Sequence, residues 1–547
     1  MIKNWWKEAV IYQIYPRSFK DSNVDGIGDL KGIQSKIPYL KALGIDVIWL
    51  SPHYQSPNVD NGYDISDYQN IMTEFGTMND FDQMLGEIHR SGLKLIIDLV
   101  INHSSDQHQW FQESRKSKEN PYRDFYIWKK DIPNNWISFF SGSAWSYDEQ
   151  TNEYYLHLFA KEQPDLNWEN TKMRHEVYQM MKFWLDKGVD GFRMDVISLI
   201  SKEQTFTNFP ESRCGDLSYY ANGPKVHYFI QEMNREVLSK YDCMTVGEAF
   251  GVSSHQALDY VGTDRKELNM IYHFDHAVPR DEHNFANPTP EFKLTELKSI
   301  FNRWDKALQN DGWNTVYFGN HDNPRMISRF GDSVNYHFQS ATMLATLVLM
   351  LRGTPFLYQG DEIGMTNAGF ENIEEFNDLQ VLNAYNSLVL NGNCSDKAFL
   401  KSSNYIARDH ARTPMQWSSD KNGGFSTSDK PWLKLNENYK TINVATQESD
   451  NNSVLSYYKK LLRLRKSHHT LQYGDYEDLF PLNNEIWAFL RIFENEKILV
   501  ACNFTDAKQT SGLSYENMKL LLSNYNKDYI GVIRHFEPYE SMIFKII

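Results

Sequence analysis

What this 547-residue chain has little of already removes several kinds of function. Its four cysteines, Cys214, Cys243, Cys394 and Cys502, lie far apart and form no CxxC pair, so neither a thiolate zinc site nor a disulfide framework is expected. Reduced thiols in the cytoplasm are the simplest account. Basic residues are outnumbered, giving a formal net charge of −15 with no basic run, which argues against a nucleic-acid partner and against an anionic membrane surface. The longest apolar run, ATMLATLVLML at 341–351, is too short to span a bilayer and reads as a buried helix. The first residues, MIKNWWKEAVIYQIYP, contain no apolar h-region, so no signal peptide is expected. No G-x-S-x-G follows a strand-like run, which removes the serine nucleophile elbow. His and carboxylate residues do not cluster at catalytic-metal spacing, and no organic cofactor motif stands out.

What is present is a recurring alternation. Strand-like runs AVIYQIYP (9–16), DVIWLSP (46–52), LKLIIDLV (93–100), VDGFRMD (189–195), MTVGEAF (244–250), MIYHFD (270–275), TVYFGNHD (315–322) and PFLYQGDE (355–362) are separated mostly by amphipathic helical patterns such as 80–92 and 174–188. Eight such units spell an α/β fold, a (β/α)8 TIM barrel. An aromatic-rich stretch at 103–170 is far longer than an ordinary βα loop and reads as an inserted subdomain after the third strand. After about residue 475 the helical pattern stops, and EIWAFLRIF, KILVACNF and SMIFKII indicate a C-terminal antiparallel β-sandwich domain. The expected division is 1–102 with 171–474 for the barrel, 103–170 for the insert and 475–547 for the C-terminal domain.

In VDGFRMDVISLI (189–200) a two-residue period sends Val189, Gly191, Arg193 and Asp195 to one side of a strand. A charged pair at a barrel strand's C-terminal end reads as catalytic, with a buried structural ion pair as the alternative. Glu248 in TVGEAF and Asp322 in FGNHDNPR take the same place on strands five and seven, so three carboxylates come from three strand ends. A pair of carboxyl groups flanking one bond is what glycoside cleavage requires. Asp60, Tyr63 and Asp64 lie in a loop on that face, and Asp98, Asn102 and His103 near the same rim at the end of strand three, although His103 alone reads as a capping or core histidine. Near the start, DSNVDGIGD alternates oxygen side chains in a way that can wrap a hard cation such as Ca²⁺. Gly32 stands where an EF-hand has its closing glutamate, and a metal-free Asx-turn loop is the other reading.

Taken together, DLVINH, GFRMDV, GEAF and FGNHDNPR, with QPDLNW at 163–168, resemble in order the signature segments of the α-amylase superfamily of glycoside hydrolases, and of its oligo-1,6-glucosidase and dextran glucosidase branch in particular. The resemblance covers nearly the whole chain. It implies a retaining mechanism with Asp195 as nucleophile, Glu248 as acid/base about 5 Å away and Asp322 steadying the transition-state ring. It implies that Arg193 keeps the nucleophile ionised and that His103 and His321 donate to sugar hydroxyls. Asp60 and Tyr63 would close the pocket, with Arg408 or Arg412 pairing Asp60 and Phe159 as an apolar wall. Asp21, Asn23, Asp25, Ile27 and Asp29 would hold a structural calcium ion. Val196, directly after the nucleophile, is the residue type this branch associates with α-1,6 bonds. In the loop at 273–288 only Arg280 beside Asp281 remains of the arginine-rich loop of sucrose isomerases. The expected protein is an exo-acting enzyme taking terminal α-1,6-linked glucose from small oligosaccharides, as monomer or homodimer. Alternatives within the fold are an α-1,4-glucosidase, a sucrose-active enzyme, a trehalose-6-phosphate hydrolase and a transglucosidase; outside it, a non-catalytic binding protein.

Overall fold

Eight short apolar runs form the frame of the molecule, seen in a computed structural model that describes all residues except 1–3, 212–214, 278–284, 287–292, 514, 516, 526 and 528–534. They are β1 (Ile11–Ile14), β2 (Val47–Leu50), β3 (Lys94–Val100), β4 (Gly191–Asp195), β5 (Met244–Glu248), β6 (Met270–Tyr272), β7 (Thr315–Val316) and β8 (Thr354–Tyr358). Neighbours pair in parallel from β1 to β6, and β8 pairs with both β7 and β1. The remaining seam, β6 to β7, is bridged by Thr315 Oγ1 donating to the Ile271 carbonyl at 3.1 Å, so the sheet closes as a TIM barrel.

The two-residue period decides what fills the barrel. Ile11, Val47, Ile96, Met244, Val246, Met270 and Phe356 share one interior cluster, while alternate residues such as Ile48, Ile97 and Phe192 join the larger cluster under the helices. Gly191 is required where it stands, because with φ +149° a Cβ there would lie 2.0 Å from the Met244 carbonyl oxygen.

The helices around the barrel follow their end signals. α1 (Met78–Arg90) starts at a capping box between Thr77 and Asp80 and buries Phe81, Met84, Leu85 and Ile88 on one face. α2 (Thr171–Lys187) starts at Asn170, whose side chain accepts from the Lys172 and Met173 amides, and stops at left-handed Gly188. The long apolar run lies in α3 (His337–Met350), buried from Ser340 onward.

Between β3 and α2 the insert forms a three-stranded antiparallel sheet from Trp128–Lys129, Glu153–Leu156 and Trp145–Asp148. Its Trp136, Trp145, Leu156 and Leu158 pack with Val196, Leu199 and Phe206 of the barrel's upper face. The C-terminal strands β9 (Asp475–Asp478), β10 (Ile486–Phe493), β11 (Glu496–Asn503), β12 (Met518–Ser523) and β13 (Ser541–Ile546) form one antiparallel sheet in the order β9-β10-β11-β13-β12. Its Trp487, Phe489, Ile498 and Val500 face the barrel core, and its Ala488, Leu490 and Leu499 face Phe536 of a small two-stranded ribbon.

Two strand readings need correction. β7 ends at Val316 and β6 at Tyr272, so Asp322 lies in the loop beyond β7 and not on a strand. The residues after Val316 turn away to form that loop, where Asn320 caps the turn by accepting from the Asp322 amide.

Candidate active site

The site grows out of the polar upper end of the barrel. Arg193 on β4 is 1% exposed, and its register places it opposite Asp98 on β3. Its Nη1 donates to Asp98 Oδ1 at 2.5 Å and to Asp195 Oδ1 at 2.6 Å, and its Nη2 lies 2.7 Å from Glu248 Oε1. One guanidinium therefore spans the last residues of two adjacent strands. One cation thus offsets part of the cost of burying three acids.

Two buried carboxyl groups held this close titrate as a unit. Burial and repulsion from Glu248 push the Asp195 carboxyl well above the usual range, against the pull of Arg193. Asp322 behaves oppositely. Burial works to raise it, but His321, Arg408 and Arg412 outweigh burial and hold it well below the usual carboxylate range.

Asp195, Glu248 and Asp322 line one cavity of about 180 Å³ together with Asp60, Tyr63, His103, Phe159, Val196 and Arg408. Phe139, Phe140, Phe250, Phe274, Phe285 and Ile406 complete a largely apolar wall. Arg408 Nη2 is 3.9 Å from Asp60 Oδ1, whereas Arg412 turns to Asp322 at 2.8 Å and to the His321 carbonyl at 3.1 Å. Arg408 is thus the arginine near Asp60. Its tightest partner, however, is Asp378 at 2.5 Å, an isolated aspartate in a loop that gave no signal in the sequence. Asp60 accepts from Gln163 Nε2 at 3.1 Å, and burial pushes its carboxyl up to about 7 against Arg408 and Arg412.

The two histidines play different parts. Lys202, buried beside Asp165 at 2.6 Å, donates to Asn102 Oδ1 at 2.7 Å. That turns the Asn102 amide nitrogen toward His103 Nδ1 at 3.2 Å, while His103 Nε2 lies 3.2 Å from both the Tyr63 carbonyl and Gln163 Nε2. Burial lowers His103 to about 4, so it is neutral at pH 7. His321 has both nitrogens engaged within the protein: Gln13 Nε2 at 2.8 Å from Nδ1, and Tyr63 Oη at 2.6 Å and Asp322 Oδ2 at 3.0 Å from Nε2. It stacks on Tyr63 at 5.3 Å and holds the Tyr63 hydroxyl and the Asp322 carboxylate. Arg193 lies beneath the cavity and touches carboxylates, not the space a sugar would fill. Lys202 went unread because a lone lysine carries no spacing signal, and Gln163, although it opens QPDLNW, was given no role of its own. Arg280 and Asp281 lie outside the described residues.

In the Asp21–Asp29 loop the side chains accept from the loop's own backbone. Asp21 takes the amides of Asn23, Val24 and Gly26 at 2.7–2.9 Å, and Asp29 takes those of Ser22 and Gly32 at 2.6 and 2.7 Å. Among the described residues no three His, Cys, Asp or Glu side chains converge as a metal-holding group. The donor set that remains is all oxygen, from Asp21, Asn23, Asp25, the Ile27 carbonyl and Asp29, which is the chemistry a hard cation takes.

The family model of the alpha-amylase catalytic domain matches residues 13–474. The chain is 52% identical to an oligo-1,6-glucosidase of Parageobacillus thermoglucosidasius and 51% identical to one of Bacillus cereus, with 100% of each chain covered in both cases. Among solved structures, the isomaltulose synthase SmuA of Protaminobacter rubrum matches with a TM-score of 0.96 at 45% identity, again over 100% of both chains.

Proposed function

Because the chain belongs to the α-amylase family, we propose that it is a retaining, exo-acting α-glucosidase that hydrolyses terminal α-1,6-glucosidic bonds of isomaltose, isomalto-oligosaccharides or short dextrans. The observation that carries this reading is the single Arg193 guanidinium spanning Asp195 and Glu248 at the floor of a cavity whose far end carries Asp60 and Arg408. Two carboxyl groups that close suit direct attack and leave no place for a water between them. Asp195 attacks the anomeric carbon while Glu248 gives its proton to the leaving oxygen. Water then opens the glucosyl-aspartate, with Glu248 taking its proton back. Asp322, kept ionised by two arginines, accepts hydroxyls of the distorted ring. Val196 offers the leaving group an apolar, branched surface with no hydroxyl, which supports α-1,6 over α-1,4 bonds.

The decisive measurement compares kcat/KM on isomaltose, maltose, sucrose and trehalose 6-phosphate. Isomaltose is expected to lead, and a clear preference for maltose would sink the linkage assignment. Conversion of sucrose is the second reading, favoured by the likeness to the isomaltulose synthase. Asp195→Ala is expected to lower glucose release by about 10⁴-fold or more; an active variant would refute the nucleophile.

Three further points belong to the same proposal. A calcium ion in the Asp21–Asp29 loop is supported by the donor chemistry. A cytoplasmic location is supported by Cys243, Cys394 and Cys502, which are free thiols. A monomer or homodimer is to be resolved by sedimentation.

A further inference from the structure

Val196 has a second property besides its side chain. It joins Asp195 to the 3-10 turn Ile197–Leu199 with φ 34° and ψ 42°, a left-handed conformation that is a genuine outlier for a β-branched residue. Such strain persists only where the surroundings over-determine it. Here the Val196 carbonyl accepts from the Leu199 amide at 2.8 Å, and the side chain is packed with Trp136, Leu199 and Phe206.

The turn decides where the Val196 N–H goes: it donates to Glu248 Oε2 at 2.8 Å. With Arg193 Nη2 at Oε1, both Glu248 oxygens face N–H donors, whereas among the described residues Asp195 takes one, Arg193 Nη1 on Oδ1. The other groups around Glu248 are Asp98 on β3, acting through Arg193, and Tyr272 on β6. Among the described residues neither donates to Oε2, so the Val196 amide is the contact that sets that oxygen.

We propose that Val196 is a positioning residue acting through its backbone: its left-handed turn aims an N–H at Glu248 Oε2 and so fixes where that carboxyl stands beside Asp195. This rests on the carboxyl roles proposed above and is independent of the linkage assignment.

Two changes at one position separate the amide from the side chain. Replacing Val196 by α-hydroxyisovalerate, with a suppressor tRNA, turns its amide into an ester and removes only the N–H. Val196→Gly keeps the N–H in a conformation glycine adopts freely. Both are assayed on whichever α-glucoside the enzyme cleaves fastest, and the isomaltose-to-maltose preference is recorded alongside. The ester is expected to move the basic limb of kcat/KM upward by about one pH unit, since carboxylates deprived of a donor hold their proton longer, with linkage preference unchanged. Val196→Gly is expected to leave the limb in place while altering linkage preference. An unmoved limb in the ester, or an equal shift in Val196→Gly, overturns the proposal. A glycine variant that keeps both limb and linkage preference overturns only the linkage reading.

Discussion

Arg193 and Arg491 are equally hidden, at 1% and 0% exposure, but keep different company. Arg193 lies among Asp98, Asp195 and Glu248 at the open end of the barrel. Arg491 lies where the C-terminal sheet meets the barrel and donates to backbone carbonyls: Met350 at 2.6 Å, Gly474 at 2.8 Å and Leu471 at 3.0 Å. Its neighbour Arg465 does the same with Leu349, Leu471 and Gly353. Burial lowers Arg491 well below the usual range, with Arg465 adding to it, whereas at Arg193 burial is outweighed by Asp98 and Glu248 and the group is raised. The same side chain thus serves two ends. Paired with acids it gathers the carboxyl groups of the site; paired with carbonyl dipoles it joins two domains.

The sharpest way to break this comparison is Arg193→Lys. An ammonium cannot span two carboxyl groups as a planar fork does. The expected loss in kcat/KM is about 10²–10³-fold, measured on isomaltose with circular dichroism to show that the fold is kept. A variant within a few-fold of wild type would make Arg193 a structural residue like Arg491.

Arg491→Met is the reciprocal test. It leaves the Met350, Gly474 and Leu471 carbonyls without this donor, so unfolding free energy is expected to fall by about 3 kcal/mol in denaturant titration. At 25 °C kcat/KM is expected to stay within two-fold. A large activity loss without loss of stability would erase the distinction between the two regions.

Much of this was legible in the sequence because it depends on period and order. The eight runs alternate apolar residues wherever they face helix or interior, and the three acids stand in order in loops or strand ends of one face. What stayed hidden depends on contacts between distant segments. Asp378 meets Arg408, and Lys202 meets Asp165 and Asn102, only because loops from different βα units converge. Nothing local in FNDLQ or ISKE marks them. The left-handed turn at Val196 was equally unreadable, since a β-branched residue is the last type one would place there. The contacts of His321 were hidden for a related reason: its nitrogens meet Gln13 and Tyr63, which come from other βα units.

Histidines extend the comparison to pH. His103 at the site is lowered to about 4, and His53 and His273, which do not line the cavity, to about 3, each chiefly by burial. A histidine whose folded pKa is depressed adds stability that is fully present above its unfolded value near 6.5. That stability is lost as pH falls from there toward the folded value. Tm is therefore expected to be level above about pH 7 and to fall between about pH 6.5 and 4. His273→Phe, which keeps a ring stacked on Trp304 at 4.4 Å, is expected to flatten that decline while leaving activity at pH 7 intact. An unchanged slope would place the acid sensitivity among the carboxyl groups of the site.

The smallest effect is expected from the Asp21–Asp29 loop, which mirrors the Arg491 junction with the charges reversed: buried carboxylates, Asp21 and Asp29 at 4% exposure each, held by backbone amides. The Asp21 amide also donates to the Phe425 carbonyl at 3.1 Å, so the loop ties the start of the chain to the 420s. If a calcium ion adds its charge here, it binds the folded loop and not the unfolded chain, and stabilises by mass action. Chelation with EDTA is then expected to lower Tm by a few degrees and added Ca²⁺ to restore it, with kcat unchanged, because no carboxylate of this loop lines the cavity. An identical Tm with and without chelator would leave the amides, with the Ser22 and Ser426 hydroxyls, as the loop's support, making it the acidic counterpart of Arg491.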